Sequence, residues 1–380
     1  MTTPKHLITA ITLLLPCLSQ AQFTSGSNGS YGPLNVTAYN TVITTPPDGI
    51  FHCTTVNISS GSVSFTRNAK NTPIYILATG DVTITGDVSV SGAGSSGANG
   101  GLGGPGGYSG GNGGMGGLPA GDGQGPGGGR AGDASYNTST SAAPGGYGGI
   151  GSLAVSGPVY GSPLLVPLIG GSGGGGVHGS PGVGGGGGGG AILIASSTKI
   201  RMTNGGEILA RGGSAGEENP GSGGAIRLVA PEVVLEYGFG LDTASGYGGR
   251  GRVRIDGIVR QIANFYNVST PYTVGANMVV FPPNMPDLKI VQAASQTIDP
   301  ASAAPVNVTL PSGTAAVPPV RVRAQNFNGT AQVIVQLTPE SGSASTYTLD
   351  IPNPGPGPAE ATVNVTFPVN VLTRVDVWTR

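Results

Sequence analysis

Residues 170–195 read GGSGGGGVHGSPGVGGGGGGGAILIA, and the step from glycine to aliphatic residues at Ala191 decides how the chain is read. Gly170, Gly173, Gly176, Gly179, Gly182, Gly185 and Gly188 hold one frame of a three-residue period. That period suits neither helix nor strand. It is the period of the polyproline-II rod, with about three residues per turn and no internal hydrogen bonds. A rod without side chains lets a second rod come close enough to exchange backbone hydrogen bonds, whereas a flexible glycine-rich linker has the same composition. Both readings are open at this level. Beyond the glycines, Gly189-Gly190-Ala191-Ile192-Leu193-Ile194-Ala195 predicts a buried strand, echoed by Gly223-Gly224-Ala225-Ile226-Arg227-Leu228-Val229-Ala230 and more loosely by Gly249-Arg250-Gly251-Arg252-Val253-Arg254-Ile255. Short strands recurring every few tens of residues, with a corner such as Asn204-Gly205-Gly206, predict the coils of a parallel β-helix.

Toward the N terminus the same lattice continues in other frames. Gly94, Gly97, Gly100, Gly103 and Gly106 keep one, and Gly101, Gly104, Gly107, Gly110, Gly113 and Gly116 keep another. Leu102, Pro105 and Tyr108 recur at every third position and form a ridge on such a rod. Before the glycines, alternating runs at 35–37, 54–58, 62–66 and 74–78 predict strands. Gly80-Asp81-Val82-Thr83-Ile84-Thr85 and Gly86-Asp87-Val88-Ser89-Val90-Ser91 form a six-residue repeat with Val and Ile facing one way and Thr and Ser the other. On the C-terminal side, runs at 199–202, 207–211 and 233–237 continue the solenoid, with Arg227, Arg252 and Arg254 predicted to point outward as edge-protecting charge. From about Pro286 glycine thins out. Seven runs at 288–292, 306–310, 320–324, 331–337, 346–351, 361–367 and 373–378 predict an antiparallel β-sandwich of immunoglobulin or fibronectin type. Trp378, the one Trp, is expected inside it, and Asn353-Pro354-Gly355-Pro356-Gly357-Pro358 reads as a rigid turn.

Residues 1–21 read as a secretory signal: Lys5 and His6, an apolar stretch at 8–15 too short to span a bilayer, and Ser19-Gln20-Ala21 as a cleavage site. A lipoprotein reading of Leu14-Leu15-Pro16-Cys17 is disfavoured by Pro16. Loss of Cys17 with the signal leaves Cys53 alone, so no intrachain disulfide is expected and stability rests on burial and backbone pairing. No later stretch is apolar and long enough to predict a transmembrane segment in the mature chain. With Lys plus Arg 17, Asp plus Glu 18 and a net charge of -1, there is no electrostatic reason to bind nucleic acid or anionic lipid.

Chemistry has little material to work with. One of the three histidines, His6, falls in the signal, which leaves His52 and His178, and His178 sits in a glycine run with no carboxylate nearby in sequence. Gly-x-Ser-x-Gly at Ser109, Ser172 and Ser214 lacks the strand-turn-helix setting of a nucleophile elbow, and the Gly-x-Gly-x-x-Gly matches lack a Rossmann unit. Gly128-Gly129-Arg130-Ala131-Gly132-Asp133 is one imperfect copy of a calcium-roll phrase. Asp81 and Asp87 read as turn caps or as stacked neighbours. Glu207, Arg211, Glu217, Glu218 and Arg227 are the grouping nearest to a polysaccharide lyase site. No catalytic, cofactor-binding or metal-ligating residue, and no cofactor, is therefore assigned. Asn-x-Ser/Thr sequons stand at Asn28, Asn35, Asn57, Asn137, Asn267, Asn307, Asn328 and Asn364.

The Gly-Gly-Ala-Ile phrases and Gly-Gly-x triplets, over about Val36 to Ile262, resemble those of glycine-rich secreted bacterial surface proteins with parallel β-helix cores, similar in style to adhesins and autotransporter passengers. That resemblance implies adhesion or surface structure rather than a reaction. No membrane barrel, sorting motif or hydrophobic tail accompanies it. The expectation is thus an all-β chain: signal peptide 1–21, solenoid segment 22–91, glycine-rich insertion 92–190, solenoid continuation 191–285 and immunoglobulin-like sandwich 286–380. The expected function is a secreted, non-catalytic structural or adhesive protein of the cell surface or extracellular matrix, assembling into filaments, with a second copy or a surface carbohydrate as partner. The alternatives are a β-helix polysaccharide lyase or glycoside hydrolase and, after it, an ice-binding protein suggested by Thr83-Ile84-Thr85 and by the glycine triplets.

Overall fold

The computed structural model describes residues 23–379 except 60, 115–117, 133–141, 151–155, 180, 204, 216–218, 264–266, 269–271, 303–304, 311–312, 314–316 and 341–343. All its regular elements are strands. The first fifteen are β1 (Gly32–Val36), β2 (Thr41–Ile43), β3 (Ile50–Ile58), β4 (Ser62–Phe65), β5 (Ile74–Ala78), β6 (Val82–Ile84), β7 (Asp87–Ser89), β8 (Ala191–Ser196), β9 (Lys199–Met202), β10 (Glu207–Leu209), β11 (Ala225–Leu235), β12 (Gly240–Asp242), β13 (Arg252–Ile262), β14 (Asn267–Val268) and β15 (Tyr272–Gly275). Every pairing among them is parallel.

These strands do not build the parallel β-helix solenoid expected from the repeats. Six of them close on themselves. β3 pairs β5 through Ile50–Cys53 and β6 through Val56–Ile58, while β11 pairs β8 through Ala225–Val229 and β9 through Glu232–Leu235. β5 pairs β8 and β6 pairs β9, so β3-β5-β8-β11-β9-β6 is a closed parallel barrel, with β1 flanking it on β3 and β13 then β15 flanking it on β11. The strands β14-β12-β10-β7-β4-β2 form a separate six-stranded parallel sheet. Closure comes from two long strands that each change partner part-way: β3 passes from β5 to β6 between Cys53 and Val56, and β11 passes from β8 to β9 between Val229 and Glu232. The sequence shows 223–230 and 233–237 as separate runs, but β11 continues unbroken through Pro231, whose fixed φ is compatible with extended chain.

The six-residue repeat keeps its predicted faces. Val82, Ile84, Val88 and Val90 all point into the core, yet the two copies join different sheets, with the bend at Thr85-Gly86 between them. Phe51, Ile76, Ile194, Leu228 and Ile255 stack in register across five adjacent strands, each fully buried. Burying an aliphatic side chain of this size contributes about 1.5–3 kcal/mol. The outer face of β5, β8 and β11 is covered too: Tyr75, Leu77, Leu193 and Val229 pack beneath Tyr147, Leu165, Leu168 and Val280. That double cover explains why β5 and β8 are apolar at almost every position rather than alternating.

Among the described residues between β7 and β8 the glycine-rich stretches run as packed rods rather than as a loose linker. The stretch 184–190 is the centre. Its N–H groups donate on three sides: Gly184, Gly187 and Gly190 to Gly97, Ala93 and Val90; Gly185 and Gly188 to Gly111 and Tyr108; Gly186 and Gly189 to Asn219 and Ser222. Its carbonyls accept on three more: Gly185 and Gly188 from Gly101 and Gly104, Gly186 and Gly189 from Gly174 and Gly171, Gly187 and Gly190 from Gly213 and Ala225. Each side is served by residues three apart, which is the period read from the sequence. Such close approach needs glycine: a Cβ built at Gly188 would lie on the carbonyl oxygen of Gly171, and one at Gly186 on that of Gly213.

The remaining strands are β16 (Asp287–Ala293), β17 (Gln296–Thr297), β18 (Pro319–Gln325), β19 (Ala331–Pro339), β20 (Ser345–Ile351), β21 (Ala359–Asn364) and β22 (Thr373–Thr379). They pair antiparallel in two sheets, β17-β16-β18-β21 and β20-β19-β22, around Val320, Val322, Val333, Val335, Leu337 and Ile351. Residues 306–310, expected as a strand, are irregular. Trp378 is not in that core. It alternates with Val375 and Val377, which are, and its ring meets Tyr108 of the glycine region edge-on at 6.0 Å. Around it Gln124 Nε2 donates to Thr338 Oγ1 (3.1 Å) and Asp376 Oδ2 (3.3 Å), Arg374 Nη2 donates to Gln124 Oε1 (3.3 Å), and Arg67 Nη1 donates to Ser109 Oγ (3.1 Å). Burial pulls the Arg67 guanidinium below its ordinary pKa, against the opposing pull of Asp376. This polar joint fastens the antiparallel unit to the rods.

Candidate interaction surface

The arginines predicted to face solvent do not. Arg227 and Arg254 are register neighbours on β11 and β13, on the outer sheet face that residues 160–168 and 276–285 cover. Arg227 is 0% exposed and Arg254 8%. Between them stands Asp256, on the same face of β13 as Arg254. Its Oδ2 accepts from Arg227 Nε (3.2 Å) and Nη2 (3.1 Å), and its Oδ1 from Arg254 Nε (3.0 Å), Arg254 Nη2 (2.7 Å) and the backbone N–H of Asn277 (2.9 Å). Arg227 Nη2 also donates to the Asn277 carbonyl at 2.9 Å. Desolvation lowers the Arg227 pKa, and Asp256 opposes the shift. Arg252 lies over the Tyr147 ring, 5.6 Å from its centroid, and donates to the Tyr160 carbonyl at 2.9 Å. These cations lock the covering segments down. The signal in sequence was Arg254-x-Asp256, two residues apart and so on one face of a strand, but the cover was not legible.

The carboxylates of the lyase-like grouping are dispersed. Arg211 pairs with Asp242 and Arg227 with Asp256; Glu217 and Glu218 lie outside the described residues. Glu207 is the register neighbour of Asp87 on the second parallel sheet, while Asp81 accepts from Thr198 on the barrel, so Asp81 and Asp87 are not stacked. Asp133 of the calcium-roll phrase is outside the described residues. Ser109 accepts from Arg67, Ser172 Oγ donates to Tyr160 Oη at 2.9 Å, and Ser214 lends its carbonyl to Ser95; none has a histidine partner in these bonds. His52 Nδ1 accepts from the Asn28 N–H, and His178 bridges to Gly114. Cys53 is buried and unbonded to another sulfur, and burial pushes its thiol up to about 11. Among the described residues no group of three or more His, Cys, Asp or Glu converges to hold a metal, and no helix is long and apolar enough to cross a membrane. A cavity lined by Tyr75, Leu165, Leu168, Leu193, Val280 and Met285 holds about 10 Å³, room for one water.

What the barrel does present is an ordered outer face. Asn35, Asn57, Thr83, Arg201, Val234 and Gln261 stand in register on β1, β3, β6, β9, β11 and β13, with rungs about 4.8 Å apart. The row beneath, Val36, Ile58, Ile84, Met202, Leu235 and Ile262, points inward. Charge on this face is paired, Lys199 with Glu232 at 3.1 Å and Arg201 with Glu236 at 2.6 Å. Exposed pairs of this kind contribute about 0–1 kcal/mol, so they order the face more than they stabilise the fold. Chemically it is an array of amide and hydroxyl donors and acceptors on a rigid frame.

Comparison with protein families, curated proteins and solved structures finds no match to this chain.

Proposed function

We propose that this chain is a secreted, non-catalytic structural or adhesive protein of the cell surface or extracellular matrix. The observation that carries the reading is the rod at 184–190, whose backbone is hydrogen-bonded to neighbours on six sides. Bonding in every lateral direction gives a stiff block. That block is fused through β8 to the barrel and fastened to the antiparallel unit by Trp378, Gln124, Arg374 and Asp376. A body so tied has the rigidity a spacer or adhesive platform needs. Arg211 and Arg227, the cations a lyase would use on an acidic sugar, are committed to Asp242 and Asp256.

The test is an incubation of the purified protein with a panel of neutral and acidic polysaccharides, following reducing ends and unsaturated products alongside sedimentation with the insoluble ones. Adsorption without product release supports the reading. Release above the buffer rate, lost in a Glu207→Gln variant, overturns it.

A further inference from the structure

We propose that the barrel end at β13 takes the β1 edge of a second copy, joining molecules head to tail; the inference rests on the structural reading above and names its partner. Among the described residues β1 pairs with β3 alone, and the second half of β13, residues 258–262, pairs with β11 alone. Unpaired strand edges are templates for added strands unless charge or cover blunts them. Here the first edge is uncharged: residues 23–47 contain no Asp, Glu, Lys or Arg. At the other end Ile258 and Val259 are 67% and 49% exposed, and the one charge among 258–262, Arg260, is turned back onto its own copy, donating to the Gly257 and Gly275 carbonyls.

The two edges also match in kind. The outward row begins at Asn35 and finishes at Gln261, and the inward row begins at Val36 and finishes at Ile262. Seating β1 of one copy on β13 of the next continues both rows, amide beside amide and aliphatic beside aliphatic. Asn and Gln in such stacked rows bond to one another. Because every pairing in the set is parallel, the added strand needs no reversal. The contact joins two different surfaces, so it is heterologous and propagates instead of closing as a dimer.

Residues 35 and 261 are both exposed, so charges can be placed there without entering the core. Sedimentation velocity of the full secreted chain over a concentration series should show head-to-tail oligomers. In the double variant Asn35→Glu/Gln261→Glu like charges oppose across the joint, and in Asn35→Lys/Gln261→Glu opposite charges meet. The assembly midpoints of the two should differ by about tenfold, the first weaker, given the size of cross-strand charge pairs. Far-UV circular dichroism and the unfolding midpoint should be the same in both. A wild-type chain that stays monomeric at every concentration, or two variants that assemble alike, overturns the inference. Either outcome leaves the polysaccharide test of the structural reading untouched, so the two fail separately.

Discussion

Gly188→Ala is the sharpest probe of the rod lattice. Gly188 donates to the Tyr108 carbonyl at 2.7 Å and accepts from Gly104 at 3.0 Å, and its added Cβ would occupy the position of the Gly171 carbonyl oxygen. Relief requires the 170–176 stretch or the central rod to move. Both are held by further bonds at Gly171, Gly173, Gly174 and Gly176. Overpacking in a constrained interior costs about 1–3 kcal/mol, and straining two backbone hydrogen bonds adds about 0.5–1.5 kcal/mol each. The expected loss is about 2–6 kcal/mol. Gly246→Ala serves as the control, since a Cβ there meets only a Pro220 carbon at 3.9 Å. It should be neutral or stabilising by about 0.4–1 kcal/mol through the unfolded chain. Urea unfolding followed by Trp378 fluorescence reads both, because that ring sits against Tyr108 of the rods. Amide exchange at 184–190 then locates the effect. Equal midpoints for the two variants would refute the lattice argument.

Asp256→Asn leaves Arg227 and Arg254 buried without their counter-charge and should destabilise by about 3–5 kcal/mol, with amide exchange rising first at 276–285; a thermal midpoint within a degree of wild type contradicts the lock. At alkaline pH the direction follows from burial. Tyr75 and Tyr108 are pushed up to about 12, the Cys53 thiol to about 11, and Tyr147 and Tyr160 also upward. The folded chain therefore keeps protons that the unfolded chain releases from 9.0 for Cys53 and 10.0 for the tyrosines. Stability should be unaffected by these groups below about pH 9 and then fall by about 1.4 kcal/mol per pH unit for each group within its own window, from 9.0 to about 11 for Cys53 and from 10.0 to about 12 for Tyr75. Tyrosinate absorbance near pH 10 that is lost in a Tyr75→Phe/Tyr108→Phe variant while the chain stays folded would contradict this. Trp378→Leu should loosen the joint, speeding amide exchange around Tyr108 while the core of Val333, Val335 and Leu337 stays protected; coupled loss of both would show one cooperative unit instead.

Local pattern carried a large part of this protein. The three-residue glycine period made rods one of two open readings, because only a backbone without Cβ atoms can bond laterally on every side, and within 184–190 residues three apart do bond to the same side. Alternation placed Val82, Ile84, Val88 and Val90 inward and located most strands of the antiparallel unit. What sequence left open or misplaced is nonlocal. Whether the rods pack depends on partners as distant as Asn219 and Val90. Closure of the barrel depends on β3 and β11 each changing partner part-way along, which no window around either point reveals. Arg227 looks like a surface residue until residues 276–285 fold over it, and Trp378 looks like sandwich core until Tyr108 meets its other side. Periodicity records which faces of a segment differ; only the assembled chain decides what lies against each face, because burial and hydrogen bonding are properties of pairs of segments.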